Sequence, residues 1–553
     1  MTRLLLATLA VLLTAAPASA SEGPLERYAA DTWRSFDAMT DPQSGLPADS
    51  LAADGTRSVQ TSTTNIGAYM WSTLVARELG IVDRREAVAR LSRTIDSLER
   101  MERHPESGQY FNWYDHRTGE KLTIWPPTGE PRTPILSSVD NGWLAVGLRL
   151  VEREVPELSR RAGAIYDSMN FGFYYRPARN QILFHYVPST GQEACCYDTI
   201  VSESRIASYI GIAKGEIPAR HYFGAARSFP DTCDWSWQET KPIGVTRRYL
   251  GVDVFEGAYP YFGMRVTPSW GGSMFEALMP PLFVPEDRWG PGSWGTNHPL
   301  TVRAQMEHGL REAGYGYWGF SPANVPEGGY AVYGVDGIGM DPNGYPSNED
   351  ATLVDSGFSG CPGRDPKPPP PPSAYTNGVV TPHAAFLGLR WAPGQALANL
   401  ERLRRDFPEM YGRWGFRDSV NVDTGTVSGH YLSLDQGMVM AAIGNALERD
   451  MLRDVLPAKP LRPVVGIEEF GASPRPCTIT GTPGPDRLRG TRGDDVICAG
   501  EGDDRVEARG GDDAVFGDGG DDRIDGDAGD DTLYGGEGRD RLSGGSGWDV
   551  VSE

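Results

Sequence analysis

Residues 195–215 read CCYDTIVSESRIASYIGIAKG, and the place of one acid in this run organises the reading of the whole chain. If a helix runs on from Asp198, Glu203 falls on one stripe with Thr199, Ile206, Ala207 and Ile210, because positions three, four and seven apart share a face. Arg205 and Tyr209 then lie on other sides. A carboxylate on the apolar side of a helix is costly to bury unless it is paired or used. Glu203 is therefore expected to aim into a cavity walled by the large domain around it. The plainer alternative is a structural acid near a helix start, where the helix dipole favours negative charge.

Two further acids sit at helix mouths. In PILSSVDNGWLAVGLRLVERE (134–154), Trp143, Leu144, Gly147, Leu148 and Val151 share a side, with Asp140 at the start. The pair Ser137-x-x-Asp140 also reads as a capping box, which explains an acid there without chemistry. In YLSLDQGMVMAAIGNALERDML (431–452), Asp435 shares a face with Val439, Ala442 and Ala446, and Ser433-x-x-Gln436 reads as the capping box. First-turn dipole compensation is the plain alternative for Asp435. Between these helices lie Gly-rich, aromatic loops, and the chain holds 14 Trp and 23 Tyr. Aromatic faces in clefts suit sugar rings. Trp143, Trp270, Tyr317, Trp318 and Trp414 are the stacking candidates, each also able to serve as plain core, and Glu276, near Trp270 at another helix start, is expected to bind substrate as well. Helices alternating with such loops, with polar groups bunched at helix starts, fit a closed ring of helix pairs with a pocket at one end. An open helical array is the alternative, although residues 22–455 show no fixed period.

The C-terminal register is strict. Asp486, Asp495, Asp504, Asp513, Asp522, Asp531, Asp540 and Asp549 are spaced nine apart, each with Gly two before and an apolar residue two after. This is the nonapeptide G-G-x-G-x-D-x-U-x. Each half-turn should send its apolar residue into a narrow core, while stacked Asp side chains and turn carbonyls offer the hard oxygen ligands that suit Ca²⁺. Without the ion the stacked carboxylates repel, and the tail should lose order. Residues 481–552 carry 19 acidic side chains against 8 arginines, half of the chain's net charge of −22. That balance argues against nucleic acid or an anionic membrane surface as partner.

At the other end, Arg3, the apolar run Leu4–Ala15 and Ala18-Ser19-Ala20 read as a signal peptide, so export is expected. No stretch is long enough for a membrane span. Six cysteines (195, 196, 233, 361, 477, 498) suit disulfides outside the cytoplasm. Cys477 and Cys498 bracket the start of the tail and are read as a pair. The neighbours Cys195 and Cys196 are expected to go to different partners. The expected organisation is a signal peptide at 1–20, a helical domain at 21–453 with a polyproline insertion at about 341–374, a Pro-rich linker at 454–476, and the tail at 477–553.

Two resemblances follow. The tail resembles the hemolysin-type calcium-binding repeat, a parallel β-roll; its first and last units are the least regular. The domain at about 25–455 resembles the bacterial glucoamylase-like family, which includes endo-β-1,2-glucanases and the domain found in cyclic β-1,2-glucan synthases. The carriers are TSTTNIGAYMWS (61–72), FNWYDHRTGE (111–120), SSVDNGWLAVGL (137–148), SESRIASYIGIAKG (202–215), SWGGSMFEALMP (269–280), GYGYWGFSPAN (314–324), TPHAAFLGL (381–389) and the Asp435-Gln-Gly helix start, in family order. The polyproline insertion and the Cys-Cys pair depart from the pattern. The resemblance implies an (α/α)6 toroid with a carbohydrate pocket, Glu203 as the acid, and Asp140 and Asp435 as the other matched carboxylates.

Glycoside cleavage needs a proton donor and a second carboxylate, spaced at about 6.5–9.5 Å for inversion or about 5–5.5 Å for retention. The expected acid is Glu203, its pKa raised by its apolar stripe, with Asp140 or Asp435 activating water; the resemblance leans towards inversion. No cofactor is expected for catalysis. A non-catalytic secreted sugar-binding protein and a transglycosylase are the competing readings, and association of the tail with a cell surface or polysaccharide is open.

Overall fold

The computed structural model describes residues 23–552 except 198, 234–239, 341–357, 359, 366, 368–370, 377, 473–476, 483, 501, 512, 518, 530, 536–537 and 548. The expected signal peptide and most of the polyproline insertion lie outside the described residues.

Thirteen α-helices are described: α1 (Pro24–Met39), α2 (Thr63–Glu78), α3 (Arg84–Arg100), α4 (Ser138–Glu154), α5 (Ser159–Ser168), α6 (Arg205–Ala213), α7 (Met274–Leu278), α8 (Glu286–Trp289), α9 (Trp294–Glu307), α10 (Pro382–Leu387), α11 (Pro393–Asp406), α12 (Ser433–Leu447) and α13 (Ala458–Val465). Six of them close an inner ring. α2 packs on α4, α4 on α6, α7 on α10, α10 on α12, and α12 back on α2. The remaining joint is polar: Arg205 at the start of α6 donates to the carbonyls of Glu276 and Ala277 in α7. The chain therefore folds as the expected α toroid, with α1, α3, α5, α9 and α11 packed outside the ring.

Composition explains which helices go inside. α2 is buried from Thr63 to Ala76, and α12 from Ser433 to Gly444 apart from Leu434, so neither shows the one-sided apolar stripe of a surface helix. Small residues let these helices approach. A Cβ on Gly67 would meet the Trp143 carbonyl at 2.5 Å, and one on Gly437 would meet Ala68 Cβ at 2.6 Å. α3 carries the opposite pattern, with Ala87, Leu91, Thr94, Ile95 and Leu98 buried and its charges outward.

The stretch read as a Pro-rich linker is helical over its middle. It forms α13, with Leu461, Val464 and Val465 buried, and Phe470 lies edge-on to Trp294 at 4.8 Å. Glu468 is buried and accepts from Arg227 Nε at 2.6 Å and Tyr222 Oη at 2.6 Å. Pro-richness reads as a spacer, but buried Leu and Val on one helical face hold it to the toroid.

The tail is a parallel β-roll. Two sheets alternate, one of five strands from Ile479–Thr480 to Val550–Ser552 and one of four from Arg487–Arg489 to Arg541–Ser543. Partners are 18 residues apart: Ile479, Ile497, Val515, Leu533 and Val551 stack in one sheet, and Leu488, Val506, Ile524 and Leu542 in the other. Two nonapeptides thus make one coil. Ile497, Val506, Val515, Ile524 and Leu533 form the buried core, while Val551 at the open end is 44% exposed. Cys477 and Cys498 are joined, as are Cys233 and Cys361. Cys195 and Cys196 are joined to each other, which overturns the expectation of separate partners; the other four cysteines are already taken.

Candidate active site

Each inner helix brings a polar side chain to the same end of the ring. Thr64 is the second residue of α2, Asp140 the third of α4, Glu276 the third of α7, His383 the second of α10 and Asp435 the third of α12. Glu203 stands two residues before α6. Short strands lead into several of these starts: Gln60–Ser62, Leu136–Ser137, Ser269–Trp270, Val379–Val380 and His430–Leu432. Helix N-termini favour negative charge, so this end tolerates a ring of acids.

Glu203 is not on the helix, contrary to the expectation. α6 begins at Arg205, and Glu203 occupies the turn before it. The turn is held from behind. Arg205, buried, pairs with Glu286 through Nε at 2.7 Å and Nη2 at 3.0 Å, and donates to the Ser202 carbonyl at 2.8 Å. Tyr209 and His298 complete the Glu286 shell at 2.7 and 3.1 Å. This network holds Glu286 down at about 2 against the cost of its burial. Glu276 Oε2 then accepts from the Glu203 amide at 2.8 Å and from Ser202 Oγ at 2.9 Å.

The Glu203 carboxylate accepts from Trp143 Nε1 at 2.5 Å. Burial pushes its pKa well above the usual range, and the charges of Glu276 and then Asp140 add to the rise against the Trp143 hydrogen bond. Glu203 is enclosed by protein yet keeps part of its surface open, so it lines a hollow rather than a sealed core.

Ser137 caps α4, its Oγ accepting from the Asp140 amide at 3.3 Å. The Asp140 carboxylate accepts from Thr64 Oγ1 at 2.6 Å. With the Asn112 amide oriented to satisfy both neighbours, Asn112 Nδ2 donates to Asp140 Oδ2 at 2.6 Å and its oxygen accepts from Trp113 Nε1 at 2.7 Å. Burial raises the Asp140 pKa despite these donors.

Asp435 is paired differently. It shares a hydrogen bond with the carboxyl of Asp418, and the pair is buried, with Asp418 raised to about 6 and Asp435 further. Asp435 Oδ2 and Asp418 Oδ1 have no donor, so one proton shared between the two satisfies both. His383 Nδ1 is 3.5 Å from Asp435 Oδ2, and burial depresses the imidazole to about 3. Ligand atoms of His383, Asp418 and Asp435 lie within 4.8 Å of one another, a grouping that could hold a metal ion. The expected capping box at α12 is corrected: Leu432 is the N-cap residue, and Gln436 donates to the Phe416 carbonyl instead.

The acids form one set. The charge of Asp140 acts on Asp49 as well as on Glu203, and that of Asp49 acts on both Asp418 and Asp435. Asp49 itself is held by Asn65 Nδ2 at 2.8 Å. Tyr330, 57% exposed on the strand Tyr330–Ala331, feels Asp435, Asp418, Glu203 and Glu276 together, so it stands over the same hollow.

The aromatic expectations divide. Trp270 is half-buried, 5.6 Å from Tyr197 and 5.1 Å from Phe184, and Tyr197 feels the charges of Glu203, Glu276 and Asp140. This cluster is a wall of the hollow. Trp143 is fully buried against Trp71 and Phe283, so it serves Glu203 as a donor and offers no stacking face. Trp318 is core, its backbone tied to Asn399. Tyr317 points elsewhere, donating to Asp406 at 2.7 Å beside Phe407. Trp414 is half-buried, under Arg413 at 3.8 Å and against Tyr431 at 5.7 Å. Glu276, expected to touch substrate, instead anchors the Glu203 turn. Asp49, Asp418, His383, Tyr197 and Tyr330 were missed, because each acquires its role only from partners far along the chain.

In the roll, the carboxylates from Asp504 to Asp549 each accept from the amide of the Asp 18 residues before, as in Asp495 N to Asp513 Oδ1 at 2.7 Å and Asp504 N to Asp522 Oδ1 at 2.8 Å. The second oxygens of Asp513, Asp522 and Asp540 are buried without a hydrogen-bond partner, and burial raises Asp513 and Asp522 to about 6. Gly502, Gly511, Gly520 and Gly538 hold positive φ in the turns, where a Cβ would strike the neighbouring coil's backbone. Orphaned carboxylate oxygens over tight turns fit Ca²⁺. Asp486 and Asp495 differ: their Oδ2 atoms accept from the amides of Thr482 and Thr491 at 2.5 Å.

A helical toroid with a carboxylate-lined hollow at the helix N-termini, followed by a calcium-binding roll, defines the class. Residues 256–460 match the family model described as "Putative glucoamylase", residues 27–209 match one described as a protein of unknown function, and residues 480–515 and 516–551 match the RTX calcium-binding nonapeptide repeat. The cyclic β-(1,2)-glucan synthase NdvB of Rhizobium meliloti (strain 1021) is 25% identical over 79% of this chain. The chain spans 18% of that relative's length. The fold is shared with the endo-β-1,2-glucanase of Chitinophaga pinensis, solved with sophorotriose and glucose (TM-score 0.55, 18% identity, 77% of this chain, 93% of that one). It is also shared with the endo-β-1,2-glucanase of Talaromyces funiculosus, solved with sophorose (TM-score 0.54, 12% identity, 76% and 83%).

Proposed function

We propose that this protein is a glycoside hydrolase acting on a β-1,2-glucan-like substrate, exported from the cell, with a calcium-loaded tail. The observation that carries the reading is Glu203: a carboxyl lining the hollow, kept protonated by burial and by the neighbouring charges of Glu276 and Asp140. The relatives named above as β-1,2-glucan enzymes supply the substrate class.

Glu203 donates its proton to the leaving oxygen as the glycosidic bond breaks. Trp143 Nε1 fixes the carboxyl and stabilises the anion left behind. The second carboxylate is Asp435. It holds one negative charge jointly with Asp418, so it can take a proton from the attacking water. Asp140, with both oxygens already accepting from Thr64 and Asn112, acts as a fixed charge that keeps Glu203 protonated. The Trp270–Tyr197 wall supplies ring faces for sugar. Export fits the joined cysteines and the calcium repeats. Among the described residues, no helix is long and apolar enough to cross a membrane.

The test is reducing-end release from a panel of glucans by the wild type and by Glu203→Gln, Asp435→Asn and Asp140→Asn. Glu203→Gln and Asp435→Asn are expected to lose about 10²–10⁴-fold in kcat, and Asp140→Asn less. Wild-type turnover by Glu203→Gln removes Glu203 from the role. A larger loss in Asp140→Asn than in Asp435→Asn makes Asp140 the water-activating group. Oligosaccharide binding without turnover by the wild type favours the non-catalytic reading.

A further inference from the structure

We infer that Trp113, Trp125 and Arg132 form a glucosyl-binding platform at the rim of the acidic hollow, gripping a sugar ring of the chain beyond the bond that is cleaved. The inference rests on the hydrolase reading above.

Three observations carry it. First, the two indoles stand together: their ring centroids are 5.0 Å apart at 70°, with the Arg132 guanidinium 4.5 Å from the Trp125 ring and 5.7 Å from that of Trp113. Second, all three are only half-buried, on a thin structure that contributes little core. Trp113 lies on the strand Trp113–Asp115, and Trp125 on Ile124–Trp125, which pairs with Glu130–Pro131 just before Arg132. Ile124 at the same strand is 56% exposed. Third, the platform is wired to the site, because Trp113 Nε1 donates to Asn112, whose amide donates to Asp140.

Arg132 adds direction. Among the described residues Arg132 makes no ion pair, although the chain carries an excess of 22 acidic charges. Its guanidinium lies against the two indoles, and among the described residues it makes no side-chain hydrogen bond. Burial without an acid partner lowers its pKa. A pyranose ring presents C–H faces that stack on indole and hydroxyl oxygens that accept from a guanidinium. Two half-buried rings and a guanidinium lying against both, joined through Asn112 to Asp140, match that chemistry, and a neutral glucan is the ligand class.

The experiment is calorimetric titration of the full-length Glu203→Gln protein, calcium-loaded, with linear β-1,2-glucooligosaccharides of increasing length. The same titration is made with Trp125→Ala, Trp125→Phe and Arg132→Ala added to it. Affinity in the parent should rise with length and then level off. Trp125→Ala should weaken the long chains about five- to tenfold while moving the shortest bound oligomer less than twofold. Trp125→Phe should restore most of the loss, and Arg132→Ala should show a smaller loss of the same kind. An equal loss at every length, or none, overturns the platform. Wild-type turnover of the same glucans, measured alongside, separates the two ideas: cleavage without the length-dependent loss sinks the platform alone, whereas neither binding nor cleavage at any length sinks both.

Discussion

Burial, above all, lets Glu203 serve as a proton donor, and three neighbours adjust its charge. Glu276 and Asp140 raise its pKa, and the Trp143 indole lowers it. Each influence has a sign that a pH profile can read. The acid must be protonated, so the alkaline limb of kcat/KM follows Glu203, while the acid limb follows the Asp418–Asp435 pair losing its one charge below about 6. Glu276→Gln removes the larger neighbouring charge while keeping an oxygen for the Glu203 amide. Its alkaline limb should therefore move to lower pH. Trp143→Phe removes the stabilising donor, and its limb should move to higher pH, with a lower Tm from the smaller side chain in a packed core. Limbs that stay in place in both variants would show that another group controls the profile.

The elements divide between a rigid end and an ion-dependent one. In the roll, Asp513 and Asp522 are raised to about 6 in the fold, chiefly by burial and then by stacked neighbours. A raised carboxylate favours the fold below its ordinary pKa, and that advantage is lost as pH climbs through about 6. Above that range Ca²⁺ must offset the charge. Chelation at pH 7.5 should therefore unfold the roll, seen as loss of its far-UV signal, while chelation near pH 5 should do so much less. The Thr-held carboxylates make the first units less dependent on an ion. Asp513→Asn and Asp522→Asn should each lower calcium stoichiometry by titration, and Asp486→Asn should leave it nearly unchanged. Equal effects of all three would contradict the difference between the coils.

Across the whole molecule, the toroid extends past the last ring helix to the segment around Phe470. The buried Arg227–Glu468 pair ties that segment to the toroid, and removing one partner of such a pair costs about 3–5 kcal/mol. Glu468→Ala should lower the Tm of the toroid without altering calcium binding by the roll. A chain ended after residue 472 should keep the toroid's melting transition, and one ended after residue 456 should lose most of it. Equal melting of the two would return the segment to a mere spacer.

The sequence by itself determined the roll, because its repeat is local: one Asp, one Gly and one apolar residue at fixed offsets dictate each half-turn, and neighbours are always 18 residues away. It also marked the helix starts where acids gather, since caps and first-turn carboxylates are read within four residues. Only the tertiary structure decided which acids work together. Glu203 sits before its helix because Arg205 and Glu276 hold the turn, and Asp435 is paired because Asp418 arrives from another loop. Large aromatics misled for the same reason: a Trp in a loop reads alike whether it closes the core, as Trp318 does, or stands at the rim, as Trp125 does. Burial and pairing are properties of the closed ring, and the ring closes through contacts between residues hundreds apart, such as Trp71 with Gly437.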